Sequence, residues 1–269
     1  MCGFVDYIKE QTMAFLRGQN YWSDTSNGNG NEQNCPGGQK YAVIFGATSL
    51  LAQCIAHELW IGSYNLILIA RNSAQLTRLV DALQPRGSQA VLAHCSSLNS
   101  AESIDSALNW LRGLPVDPEL AMVCPGVIFD DNSMAPLSEI LEAVFVNTLL
   151  PLYVSEYFAQ SETTKIVTIS SLFAKACKKG KMVYSLSKRL AYVLINERME
   201  ISKKKHYMFL LGPMYTPMYT GPKRFYVAEP QTIAKAICRM VHARDGGILT
   251  LPNSWSYLMP LLILANCIF

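Results

Sequence analysis

The chain has 269 residues, half of them hydrophobic and 16% charged, with a formal net charge of +3. This length and composition allow one large α/β domain or two small ones, and so small a net charge does not support nucleic-acid binding. The eight cysteines are scattered, without the Cys-x-x-Cys pairs or Cys/His clusters of metal sites, so we expect no metal, reduced thiols and a cytoplasmic protein.

Two predicted segments precede the main domain. Residues 1–17 carry Asp6, Lys9 and Glu10 within an apolar pattern, which indicates a short amphipathic helix and not a secretory signal. Residues 18–39 are rich in Asn, Gly, Gln and Ser and predict a flexible linker. The helix either docks on the domain, serves a partner or is an extension, and the sequence leaves these three alternatives open.

Residues 40–253 form the predicted globular domain, in which buried strands alternate with helical patterns. This alternation predicts a single α/β domain with a doubly wound parallel sheet and helices on both faces. The predicted strands are 40–45, 65–70, 89–94, 120–123, 166–169, 207–211 and 248–251. The predicted helices are 50–60, 73–83, 101–111, 137–158, one that begins near 182, and 229–243.

A glycine turn joins the first strand to the first helix. It contains Gly46, Thr48, Ser49, Leu50 and Leu51. A strand, a glycine turn and a helix N-terminus together predict a phosphate site, because unpaired backbone N–H groups and the positive end of the helix face the ligand. The alternative is an ordinary connection between a strand and a helix.

The second strand ends in Arg71, with no acidic residue beside it. In dinucleotide-binding folds an acid at this position binds the ribose 2′-hydroxyl, whereas an arginine accepts a 2′-phosphate. The sequence therefore favours NADP over NAD. The alternative is that Arg71 is simply a solvated residue at the end of a strand.

A hydroxyl, a phenol and an ammonium group are predicted to meet around the fifth strand. Ser171 follows strand 166–169, and Tyr184 and Lys188 lie on the next helix. Because Tyr184 and Lys188 are four residues apart, they share one face of that helix. All three groups are therefore expected at the carboxyl edge of a parallel sheet, where open α/β sheets bind ligands.

Tyr-x-x-x-Lys with a serine thirteen positions before the tyrosine resembles the catalytic core of the short-chain dehydrogenase/reductase family. The resemblance runs from about residue 40 to residue 250. Asn147 falls at the family's helix asparagine, and residues 212–218 are similar to its P-G-x-x-x-T-x-M segment. The glycine-rich loop departs from the family pattern as a G-A-T-S variant that keeps Gly46, and of the family's N-N-A-G segment only Gly126 remains.

The resemblance implies a Rossmann-type fold and an NADP-dependent oxidoreductase that transfers a hydride between a nicotinamide cofactor and a carbonyl or alcohol substrate. It implies Tyr184 as general acid/base, Lys188 as its electrostatic and ribose-binding partner, Ser171 as the group that holds the carbonyl oxygen, and Asn147 as the holder of a relay water. The implied cofactor-binding residues are Gly46, Thr48, Ser49, Leu50, Leu51, Arg71, Ser97, Leu98, Pro125, Gly126, Tyr184, Lys188, Pro213 and Thr216.

The alternative is a catalytically silent member of the same fold that binds a dinucleotide as a scaffold or sensor. The altered glycine loop favours the scaffold, whereas the four intact catalytic positions favour the enzyme.

The sequence gives less information about the substrate. Residues 214–228 are rich in Tyr, Pro and Met and correspond to the family's mobile substrate lid. The apolar tail, residues 254–269, is too short to span a bilayer and either closes the core or a dimer, or contacts a membrane surface. Lid, tail and loop variant together suggest a lipid-like small molecule. Family members are often oligomers, which makes a homo-oligomer a further expectation.

Overall fold

The computed structural model describes residues 39–84, 89–129, 136–177, 180–202, 205–219, 221–222, 224 and 226–257. The predicted N-terminal helix and the linker up to residue 38 lie outside the described residues, as do residues 258–269 of the predicted tail. At the start of that tail, Trp255 packs against the hydrophobic cluster beside the sixth strand.

Seven parallel strands form one sheet in the described part of the chain. They are β1 (Lys40–Phe45), β2 (Tyr64–Ala70), β3 (Val91–Cys95), β4 (Leu120–Val123), β5 (Lys165–Ser171), β6 (His206–Leu211) and β7 (Gly247–Leu251). Their order is β3-β2-β1-β4-β5-β6-β7, and every neighbouring pair is parallel. The predicted doubly wound sheet is confirmed, and its order reverses between β1 and β4, where such sheets bind ligands.

The helices are α1 (Leu50–Ile61), α2 (Ser73–Leu83), α3 (Ala101–Arg112), α4 (Leu137–Val144), α5 (Leu150–Phe158), α6 (Met182–Ser202) and α7 (Pro230–Ala243). A π-helical turn, Phe145–Leu149, joins α4 to α5, so that the single helix predicted over 137–158 is continuous but locally widened. A short 3₁₀ turn, Leu172–Ala174, follows β5.

The continuous helix Leu137–Phe158 is long and apolar enough, by length and composition alone, to cross a membrane. In the fold it is a core element, because Leu150, Val154 and Phe158 are buried against the sheet. The core helices of soluble proteins commonly pass the same test of length and composition.

Side chains alternate between two hydrophobic layers, one on each face of the sheet. On one face Ile44 packs in a cluster with Ile55 of α1 and Ile237 of α7. On the other face Phe45 packs in a cluster that includes Val154 of α5. Burial on both faces is the reason that these strands are nearly continuous apolar runs. The polar side chains of the candidate site lie outside these two layers, at the carboxyl edge of the sheet.

One buried histidine makes the stability of this core dependent on pH. His206, at the start of β6, is 3% exposed, and its Nε2 lies 3.0 Å from the hydroxyl of Thr168. Burial lowers the pKa of His206 to about 4, whereas an unfolded chain binds this proton near pH 6.5.

Between these two pH values the unfolded state binds more protons, so stability falls as the pH is lowered from 7 towards 4. We expect a loss of about 3 kcal/mol over this window from His206 alone. Urea unfolding of the wild type and of His206→Gln at pH 7 and pH 4.5 measures it. The variant should lose less stability on acidification, and equal losses would contradict this account.

Candidate active site

The turn after β1 requires glycine. Gly46 has a φ of 75°, and a Cβ at this position would lie 2.7 Å from the backbone nitrogen of Pro125. The N–H of Gly46 donates to the carbonyl of Ile69 at 2.8 Å. The predicted loop residues Gly46 and Pro125 are therefore in direct contact, and the turn is fixed against both neighbouring strands.

The N-terminus of α1 opens towards the cleft above this turn. The hydroxyl of Ser49 caps the helix by accepting from the N–H of Ala52 at 3.3 Å, and the side chain of Gln53 donates to the carbonyl of Thr48 at 2.8 Å. The N–H groups of the first helical residues, Leu50 and Leu51, have no helical carbonyl to bond. These two N–H groups are therefore available to an anion at the helix N-terminus.

Leu50 also lines an open cavity of about 520 Å³ at the mouth of the cleft. Its side chain is 37% exposed. The other lining residues are Tyr215, Thr216, Pro217, Tyr219, Gly221 and Glu229. The predicted cofactor residues Leu50 and Thr216 are thus brought to one cavity, together with the segment predicted to be the substrate lid.

The lid segment is folded by its own tyrosine hydroxyls. Tyr215 donates to the carbonyl of Arg224 at 2.9 Å and accepts from the N–H of Arg224 at 2.7 Å. Tyr219 donates to the carbonyl of Pro222 at 2.8 Å, and the two tyrosine rings meet edge to face at 5.7 Å. The carbonyl of Pro213 accepts from the N–H of Ala228 at 3.0 Å, which ties the two ends of the segment together.

Ser171 and Tyr184 are brought together at the end of β5. The strand runs to Ser171, two residues past its predicted end, and pairs there with Leu211. The hydroxyl of Ser171 accepts from the N–H of Phe173 at 3.2 Å and shares a hydrogen bond with Tyr184. Burial raises the pKa of Tyr184, against a smaller lowering by Ser171. The phenol is therefore protonated at neutral pH.

Lys188 lies one turn beyond Tyr184 and is 4% exposed. Its Nζ donates to the carbonyl of Pro125 at 3.5 Å. Burial lowers the pKa of Lys188 to about 8, with an opposing contribution from Cys124. A Cβ on Gly126 would lie 3.6 Å from this ammonium and 3.5 Å from Oδ1 of Asn147. The structure therefore brings the predicted residues Lys188, Gly126 and Asn147 into one cluster.

Asn147 sits in the π turn and is fully buried. Its amide group donates to the carbonyl of Val127 at 2.9 Å and to the hydroxyl of Ser187 at 3.0 Å, and its Oδ1 accepts from the N–H of Val127 at 3.0 Å. The side chain thus joins the loop after β4 to α6. Both N–H donors of its amide are used by these protein partners, and its predicted role as holder of a relay water stays a prediction.

Two further residues, which the sequence did not identify, hold α6 in place. Arg189 donates to the carbonyl of Ala174 at 3.1 Å and to that of Lys175 at 2.9 Å, and so ties α6 to the turn after Ser171. Ser187 donates to the carbonyl of Tyr184 at 2.9 Å while it accepts from Asn147. Neither residue belongs to a sequence motif of its own. Ser187 lies inside Tyr-x-x-x-Lys, and Arg189 directly follows it.

The predicted adenosine-binding residues lie at the ends of β2 and β3. Arg71 is exposed and forms a 2.9 Å ion pair with Glu142 of α4. Ser97 is exposed, whereas Leu98 is 4% exposed and packs in the core beside α3. Within the described ranges, no group of three or more His, Cys, Asp or Glu side chains could hold a metal ion.

No family model and no curated protein sequence matches the chain. Solved structures do match. One is a short-chain dehydrogenase from Sphingobium yanoikuyae in complex with NADPH, at 20% identity and a TM-score of 0.72, covering 84% of this chain and 93% of that one. Another is an alcohol dehydrogenase from the archaeon Thermococcus sibiricus complexed with 5-hydroxy-NADP, at 18% identity and a TM-score of 0.70, covering 80% and 96%.

A third is L-sorbose reductase from Gluconobacter frateurii complexed with NADPH and L-sorbose, at 14% identity and a TM-score of 0.68, covering 79% of this chain and 95% of that one. Identities this low carry the fold and not the activity. The fold predicted from the sequence is confirmed: this chain has the fold of the short-chain dehydrogenases/reductases.

Proposed function

We propose that this protein is an NADP-dependent oxidoreductase that transfers a hydride between the nicotinamide and a carbonyl or alcohol substrate. The observation that carries the proposal is the hydrogen bond between Ser171 and Tyr184 at the carboxyl edge of β5, with Lys188 buried one turn further along the same helix. A protonated phenol, a hydroxyl bonded to it and a buried ammonium one turn away are the groups needed to move a proton at a substrate oxygen. A scaffold has no need of this arrangement.

The residues along the carboxyl edge fit a dinucleotide. The exposed N–H groups at the start of α1 would bind the diphosphate, and Arg71 would bind the 2′-phosphate. Lys188 would bond the nicotinamide ribose, and Thr216 the carboxamide or the diphosphate. Gly126 fits this assignment because it places no side chain over the ammonium of Lys188. When bound, NADPH supplies the hydride.

The chain's own contribution is to hold the substrate oxygen and to move one proton. Tyr184 donates its phenolic proton to that oxygen during reduction and accepts it during oxidation. The hydroxyl of Ser171, which accepts from the N–H of Phe173 and shares a hydrogen bond with Tyr184, would hold the substrate oxygen beside that phenol. Lys188, with a pKa of about 8, is mostly protonated at neutral pH and stabilises the phenolate that remains.

Turnover on a carbonyl panel tests the proposal. NADPH oxidation would be followed with a sugar ketone, an aromatic ketone and a long-chain aldehyde, and NADP reduction with the matching alcohols. We expect turnover on at least one of them. Tight NADPH binding without turnover in either direction would contradict the proposal and favour the scaffold.

The aromatic lid supports an apolar substrate, which is the lipid-like class suggested by the sequence. Because the hydroxyls of Tyr215 and Tyr219 are bonded to backbone groups of the lid itself, these residues offer ring faces to the cavity. The long-chain aldehyde is therefore the favoured member of the panel. The cytoplasmic location, the membrane contact and the homo-oligomer stay predictions.

A further inference from the structure

An ion pair crosses the carboxyl edge of the sheet at the proposed 2′-phosphate site. Nη1 of Arg71 lies 2.9 Å from Oε1 of Glu142. The two residues are far apart in the chain, since Arg71 directly follows β2 and Glu142 lies on α4. The carbonyl of Arg71 accepts from the thiol of Cys95 at 3.5 Å, which ties its backbone to the end of β3. The backbone of Arg71 is therefore fixed, and its guanidinium is held towards α4.

Arg71 directly follows β2, and its side chain is 61% exposed, so N–H groups that do not face Glu142 remain for a phosphate. Arg78, in the second turn of α2, donates its Nε to the carbonyl of Ala74 within its own helix. The first turn of α2 has no acidic residue, and Asn72 caps it by accepting from the N–H of Gln75 at 2.9 Å. Glu142 is thus the carboxylate that contacts Arg71 in the described part of the chain.

A phosphate and a carboxylate on one guanidinium repel each other. A guanidinium has five N–H donors and can bond both groups at once, but it then brings a phosphate with a charge of almost −2 close to a carboxylate. The side chain of Glu142 is only 30% exposed, so solvent screens this repulsion incompletely. A dinucleotide without the 2′-phosphate experiences no such repulsion.

We propose that Glu142 sets the preference between NADPH and NADH by competing with the 2′-phosphate for Arg71. The inference rests on the proposed function. Glu142 weakens NADPH binding and leaves NADH binding unchanged. The preference for NADPH over NADH is therefore smaller than the preference that Arg71 alone would give. Glu142 is therefore a specificity-determining residue. It lies on α4, which is not part of the sequence motifs that bind dinucleotides.

Dissociation constants of NADPH and NADH for the wild type, Glu142→Gln, Arg71→Ala and the double variant test this assignment at low ionic strength. Glu142→Gln should tighten NADPH binding about five-fold and leave NADH unchanged. In the Arg71→Ala background, where no guanidinium draws the 2′-phosphate towards Glu142, the same substitution should tighten NADPH binding much less and should leave NADH binding unchanged. Glu139→Gln removes the same charge from α4 three residues earlier and should leave both constants unchanged.

The possible failures can be told apart. NADPH binding that is unchanged or weaker in Glu142→Gln would overturn the inference alone, because Glu142 would then only orient Arg71. Tightening of the same size in the Arg71→Ala background, or in Glu139→Gln, would overturn it in favour of a general charge effect. A wild type that binds neither nucleotide would overturn the proposed function and this inference with it.

Discussion

Replacing Tyr184 by Phe is expected to lower kcat for the best substrate by about 10²- to 10⁴-fold, the range that general acid catalysis contributes. The aromatic ring and its edge-to-face contact with Phe173 remain, so the cleft keeps its shape. Only the proton donor and its hydrogen bond with Ser171 are removed. The dissociation constant of NADPH should therefore change little, and the loss should appear in steady-state turnover.

Tyr192→Phe is the matched control for this substitution. Tyr192 lies two turns further along α6, where Lys175 packs over its ring at 5.7 Å. Removal of its hydroxyl should leave turnover close to that of the wild type. Turnover retained in Tyr184→Phe would remove Tyr184 from the mechanism, and equal losses in both variants would indicate a structural effect on the helix.

Replacing Gly46 by Ala should destabilise the protein by about 3 kcal/mol and weaken nucleotide binding. A φ of 75° is costly for any residue with a Cβ. The added Cβ would also lie 2.7 Å and 2.9 Å from the N and Cα atoms of Pro125, which are backbone atoms that cannot rotate away. Both the turn before α1 and the loop beneath Lys188 would have to shift. Urea unfolding measures the stability, and nucleotide titration measures the site.

Gly113→Ala makes the same chemical change where the backbone tolerates it. Gly113 ends α3 with a φ of −74°, and its added Cβ would lie 3.4 Å from the nearest atom, the carbonyl oxygen of Trp110. Its free energy of unfolding should change by less than about 1 kcal/mol. A similar loss in both variants would contradict the explanation from positive φ and the clash with Pro125.

The strands of this fold could be predicted because they are buried on both faces. Sequences such as that of β2, in which every residue is buried, read as uninterrupted apolar runs. The cluster of Ser171, Tyr184 and Lys188 could be predicted from spacing alone, because one strand end and one helix face determine where the three groups lie. Both signals are local, and the structure bonds Ser171 to Tyr184 and places Lys188 one turn further along the same helix.

The remaining features of the site depend on partners that are distant in the chain. Arg71 and Glu142 are 71 residues apart in the chain. No local sequence pattern links residues at that separation, so the contact could not be predicted. The bond between Asn147 and the backbone of Val127 is also long-range, and Asn147 lies in a π turn that the apolar pattern of 137–158 does not reveal. The sequence thus predicted candidate site residues, but not how Asn147 or Arg71 is held.

Titration of the purified protein with NADPH and with NADH, followed by nicotinamide fluorescence, tests the central claim most directly. We propose the N–H groups of α1 for the diphosphate and Arg71 for the 2′-phosphate, so NADPH should saturate at a lower concentration than NADH. Failure of both nucleotides to bind would mean that Leu50, in the position of a glycine, has closed the site. The account of the protein as an NADP-dependent oxidoreductase would then be contradicted.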